Sequence, residues 1–180
     1  MKMLALCNLR PAKLGAFESF IAHLGGEASA RGHSLDVAFA TEPIAPVAEL
    51  LLEQGAGWHV IPGWSDGWTT HPWGLVRPAV QLIHDLQPDL VAVHFGNELP
   101  TAALILRARL SGLRPKWVWH QRQQIDPPRN LLKAKCSQIR ILSLLCDHFV
   151  SLYDGGRNAL RIRGIPERKL SAIYNGVPPF

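Results

Sequence analysis

Two short apolar runs in this sequence end in histidine. "LVAVH" ends at His94 and continues as Phe95-Gly96-Asn97-Glu98. "KWVWH" ends at His120 and continues as Gln121-Arg122-Gln123-Gln124. Neutral imidazoles at such places can hydrogen-bond hydroxyls or phosphates. A lone histidine is more often packed or solvated, but two at the carboxyl tips of parallel strands point to a site, because that is the edge where open α/β sheets bind ligands. No third ligand stands at a recognisable metal spacing, so no metal is expected. Gly15, in "RPAKLGAFE", precedes a helix whose free N–H groups attract anions. Glu18 falls in that helix's first turn, where a carboxylate suits the positive end of the dipole. An ordinary loop and helix start would read the same way, and GxGxxG is absent, which speaks against a dinucleotide fingerprint. Ser151 ends "HFVSL", and Asn175-Gly176 follow "LSAIY". These residue types are common wherever a loop begins. The remaining histidines have no comparable placement and read as structural or solvated.

The elements that must carry these residues alternate. "MLALCNL" is an apolar run stopped by Arg10-Pro11. Phe17, Phe20, Ile21, Leu24 and Ala28 recur at helical spacing up to Arg31, and Gly32 is a stop signal. "SLDVAFA", "WHVIP", "LVAVH", "KWVWH", "HFVSL" and "LSAIY" read as strands. Helices are expected over about 45–54, 75–86, 99–111, 129–146 and 156–163. The strands are near-continuous apolar runs, as in a sheet covered on both faces. Regular alternation with helices implies right-handed crossovers. The expected fold is therefore α/β, a doubly wound parallel sheet of Rossmann-like kind.

With 180 residues the chain fits about one domain, and 47% hydrophobic content is enough for a sizeable core. Cys7, Cys136 and Cys146 form no CxxC pair, so neither a zinc knuckle nor a disulfide framework is indicated. Reduced thiols suggest the cytoplasm. A formal charge of +5 suits anionic partners without choosing among them. Nucleic acid is not expected, since no motif interleaves aromatic and basic residues. No stretch is apolar and long enough to span a bilayer.

Taken together, the motifs resemble the N-terminal, acceptor-side domain of family 4 (group 1) GT-B glycosyltransferases. "LGAFESFIAHLGGEASARGHSLDVAFA" resembles that family's opening, "QPDLVAVHFGN" and "WVWHQR" its two histidine-bearing strands, and "CDHFVSLYDGGRNALRIRGIPERKLSAIYNGV" the passage before its interdomain hinge. The resemblance runs from Leu4 to Val177 and is most specific in its last stretch. It implies one half of a GT-B architecture, with residues 1–177 as the acceptor domain and 178–180 as the start of a connection to a donor domain. The chain would then be a piece cut from a longer enzyme, the favoured reading, or the acceptor half of a split one.

The implied reaction is retaining transfer of a sugar from a nucleotide sugar to an acceptor hydroxyl, without a cofactor or essential metal and not by this half alone. By the same resemblance Gly15 and Ala16 fall on the loop that approaches the donor diphosphate, with alanine in place of the second glycine. His120 falls near the transfer centre as the catalytic candidate. His94, Asn97, Ser151, Asn175 and Gly176 fall along the acceptor cleft. The acceptor could be a sugar or lipid-linked. The helix over 129–146 mixes cations with leucines, which permits peripheral contact with the inner membrane surface, although an apolar face packed in the core and solvated cations are the favoured reading. In "GWSDGWTTHPWG", Trp64, Trp68 and Trp73 could stack on an acceptor or pack inward. The main rival is a stand-alone Rossmann or flavodoxin-like ligand-binding or regulatory domain.

Overall fold

A computed structural model describes residues 1–61, 76–121 and 138–174. The Trp-rich segment, Asn175, Gly176, the 178–180 connection and the first part of the expected 129–146 helix lie outside the described residues. The strands are β1 (Lys2–Cys7), β2 (Ser34–Phe39), β3 (Ala56–Val60), β4 (Leu90–His94), β5 (Lys116–Gln121), β6 (His148–Ser151) and β7 (Leu170–Ala172). The helices are α1 (Ala16–Ala30), α2 (Ala45–Glu53), α3 (Val76–Leu86), α4 (Glu98–Leu110), α5 (Gln138–Leu145) and α6 (Asp154–Ile162).

All seven strands are parallel, in the order β3-β2-β1-β4-β5-β6-β7. The chain builds outward from β1 to β3, then returns to the centre and builds the other way. The reversal between β1 and β4 is the topological switch point, and its carboxyl end is the crevice where such sheets take ligands.

Each sheet face has its own core. Ala5, Cys7, Val37 and Phe39 pack under α1 and α2 with Ile21 and Leu51. Leu4, Leu6, Val93, Trp117 and Phe149 pack on the other face with Ile83 of α3, Ile105 of α4, Leu142 of α5 and Leu160 of α6. Helix ends follow the glycine signals. After α4, Gly112 takes φ +84, which a β-carbon disfavours. Its N–H and that of buried Leu113 return to the carbonyls of Arg109 and Ala108, so the last turn is closed and held by an apolar contact.

The amino ends of the strands are fixed by two aspartates. Asp89, before β4, accepts the Lys2 N–H at 2.7 Å and donates its own N–H to the Lys2 carbonyl. Asp147, before β6, does the same to Trp117 of β5, at 2.8 and 2.9 Å. Each clamps one strand to its neighbour at a defined register. The third strand begins at Ala56 rather than Trp58, because Gly55 at φ +71 turns the chain immediately out of α2.

Candidate functional site

Parallel neighbours in register point to the same face of a sheet. Phe39, Cys7, His94, His120 and Val150 are consecutive partners across β2, β1, β4, β5 and β6. The row is apolar except at its centre, where two imidazoles lie side by side. Their rings stack at 4.2 Å with a 30° interplanar angle. His94 is fully buried, whereas His120 is only partly so. Both strand-end histidines therefore meet at the carboxyl edge beside the switch point, on the face that carries α1.

An aromatic wall holds His94 in place. Phe17 and Phe20, one turn apart on α1, lie 5.5 and 6.5 Å from its ring. Phe95 follows at φ +57, a conformation that costs a bulky residue free energy, and its ring meets Phe17 edge-on at 4.9 Å. Asn8, just past β1, donates its N–H to the His94 carbonyl at 3.1 Å and its side-chain amide to the Phe95 carbonyl at 3.4 Å. The strained turn is thus tied across the switch point. His120 opens instead onto an apolar cavity of about 290 Å³, walled by Phe20, Leu24, Val118, Val150, Leu152 and Ile173.

The other sequence candidates have different surroundings. Gly15 is the N-cap of α1 and Ala16 its first residue. The Gly15 N–H donates to the Glu18 carboxylate at 3.2 Å, and Glu18 is buried. The start of α1 therefore already holds an anion of its own, and a β-carbon on Gly15 would come within 2.9 Å of that carboxylate oxygen. Asn97 is the exposed N-cap of α4, and its carbonyl accepts both the N–H and the hydroxyl of buried Thr101.

Ser151 registers with Gln121, one residue past His120, so it points to the opposite sheet face. It is fully buried, and its hydroxyl donates to the Tyr153 carbonyl at 2.9 Å, shaping the turn into α6. His94 and His120 are brought together, and Ser151 is not brought to them. Asn175 and Gly176 lie outside the described residues. The aromatic wall was missed by sequence reasoning. Its signal was the i, i+3 spacing of Phe17 and Phe20 at the start of α1, the helix that must pass over the switch point.

Among the described residues no group of three or more His, Cys, Asp or Glu side chains could hold a metal ion. None of their helices is long and apolar enough to cross a membrane.

The family model for Glycosyltransferase Family 4 matches residues 17–179. The chain belongs to Glycosyltransferase Family 4. No curated protein sequence matches it. Among solved structures, this family 4 chain is similar to Anabaena HepE in complex with UDP and glucose, with a TM-score of 0.66 and 18% identity, over 98% of this chain and 45% of that one. It is similar to the lipopolysaccharide outer core galactosyltransferase WaaB, with a TM-score of 0.68 and 14% identity, over 98% and 46%. A UDP-GlcNAc 2-epimerase from Neisseria meningitidis, bound to UDP-GlcNAc, gives 0.62 and 17%, over 97% and 46%. At such identities the likeness is one of fold. The family 4 chain spans less than half the length of these structures, and its seven-stranded sheet matches one Rossmann-like half of the GT-B arrangement.

Proposed function

We propose that this family 4 domain is the acceptor-side half of a retaining glycosyltransferase, which moves a sugar from a nucleotide donor to an acceptor hydroxyl in a cleft closed by a second, donor-binding domain. The observation that carries the reading is the His94–His120 stack at the carboxyl edge of the switch point. His120, the more open of the pair, is suited to hydrogen-bond the donor sugar or its leaving phosphate as charge develops there. His94, locked among Phe17, Phe20 and Phe95, would hold the His120 ring in position. UDP or a UDP-sugar is a reasonable donor class, since HepE and the Neisseria epimerase bind them. A cytoplasmic location, where nucleotide sugars are made, belongs to the same proposal.

The test is a panel of nucleotide sugars assayed for transfer, with the chain alone and with a donor domain joined to it. The chain alone is expected to give no product, because donor binding needs the second domain. Robust turnover by the 180-residue chain without any partner would overturn the two-domain reading.

A further inference from the structure

Helices on a sheet face normally turn apolar residues inward and polar ones outward. On this sheet α3 and α6 obey that pattern, exposing Gln81, His84 and Asp85, and Asp154, Asn158 and Arg161 respectively. The two helices between them do not. On α4, Leu99, Leu106 and Leu110 are exposed, the last at 72%, in a stripe spaced to one helix face. On α5, Ile141 and Leu144 are exposed, Leu144 at 81%. The helices are neighbours: Ile105, Ala108 and Leu142 share one core, and Arg109 donates to the Leu145 carbonyl at 2.6 Å. Two adjacent helices therefore present leucine and isoleucine to solvent while their inner faces are fully supplied with core residues.

The charges around this patch are mostly positive. In α4, α5 and the turn after α4, the cations are Arg107, Arg109, Arg114 and Arg140, and the only carboxylate is Glu98. Arg109 and Arg114 bond carbonyl oxygens, and no carboxylate among the described residues forms an ion pair with either. A symmetric contact with a second copy would bring two copies of this largely cationic surface together. A bilayer with anionic lipid matches both features. Leucines can enter the acyl boundary while guanidinium groups stay at the phosphate level.

We infer that the outer face of α4 and α5 is a docking surface for an anionic lipid bilayer. The surface includes the described part of the helix expected over 129–146, but its apolar centre lies equally on α4. It is independent of the reaction proposed above, because His94 and His120 project from the opposite face of the sheet. Docked this way, the molecule keeps its histidine edge free of the membrane plane.

The test is co-sedimentation of the chain with phosphatidylcholine vesicles, with and without phosphatidylglycerol. Binding is expected only when phosphatidylglycerol is present. The double variant Leu110→Ser/Leu144→Ser should lose about tenfold or more in partitioning, since both side chains leave an apolar environment. Arg107→Gln/Arg114→Gln should lose roughly fivefold per charge, and added salt should weaken the parent protein more steeply than that variant, which keeps Arg109 and Arg140. Leu52→Ser is the control: Leu52 is also exposed, but on α2 across the sheet, and its loss should change nothing. Circular dichroism confirms that each variant is folded, as exposure of these side chains implies. No binding to the anionic vesicles, unchanged binding by the folded leucine variant, or an equal loss in Leu52→Ser overturns the inference. So does a dimer in sedimentation velocity that the leucine variant abolishes while vesicle binding is absent.

Discussion

The two ends of this parallel sheet use polar side chains in opposite ways. At the amino end Asp89 and Asp147 bond the backbone of the neighbouring strand, and Cys146 donates its thiol to the carbonyls of Trp117 and His148. Those groups are committed to register. At the carboxyl end the polar groups are two imidazoles stacked on each other and walled by phenylalanines, next to a residue held at positive φ. One end resembles a set of fastenings. The other has arrangement without a structural need for it, which is how a site differs from a scaffold.

The sharpest way to break this contrast is His120→Ala in the domain joined to its donor half. Transfer should fall by about 10²–10³-fold in kcat, the scale seen when a preorganised donor to a leaving group is removed. Thermal stability should be almost unchanged. A large loss of stability with little loss of rate would place His120 among the fastenings instead.

At the amino end the expectation is reversed. Asp147→Ala should lower stability by about 2 kcal/mol, because the buried start of β5 loses the acceptor for its N–H, and leave transfer intact. Chemical denaturation together with an activity assay separates the two effects.

Legibility in the sequence divides along the same line. The apolar runs and the glycine stops at Gly32 and Gly112 were enough to place strands, helices and hence the ligand-binding edge. The pairing of His94 with His120 follows once both end adjacent parallel strands. Which face Ser151 points to was not legible. Strands buried on both sides lose the apolar–polar alternation that would reveal orientation. The Glu18 carboxylate returning to Gly15 could have been read from the G-x-x-E spacing of a capping box. The start of β3 was missed because Gly55 and Gly57 flank Ala56 and masked it as a loop.

Cys146 sharpens the amino-end description through pH. Burial pushes its thiol from 9.0 up to about 12. The folded protein therefore keeps this proton where the unfolded chain releases it, so stability is lost as pH rises from about 9 towards 12. At pH 10 the loss should be on the order of 1 kcal/mol, and Cys146→Ala should remove that slope. Unfolding curves across this alkaline range decide the matter.

The smallest effect concerns strain at the carboxyl end. Phe95→Ala and Phe95→Gly both remove the ring contact with Phe17, but only glycine accepts φ +57 without strain. The glycine variant should be about 1 kcal/mol more stable than the alanine one. Equal stabilities would mean that the turn is not strained and that Asn8 merely follows it.

The position of β1 in the middle of the sheet has a consequence for the chain's birth. On one side, its partner β2 and the next strand out, β3, are encoded immediately after it. Its partner on the other side, β4, is clamped to it through Asp89, 87 residues later. As synthesis proceeds, β1-β2-β3 can assemble with α1 and α2 while the far edge of β1 stands open. That edge presents unpaired backbone N–H and C=O groups, flanked by apolar side chains, and waits for residues that the ribosome has not yet delivered. Non-local parallel pairing of this kind forms slowly and leaves sticky intermediates. The vulnerable moment for this protein comes before β4 emerges, and whatever shields the nascent half-sheet at that stage governs how much of the chain reaches the native state.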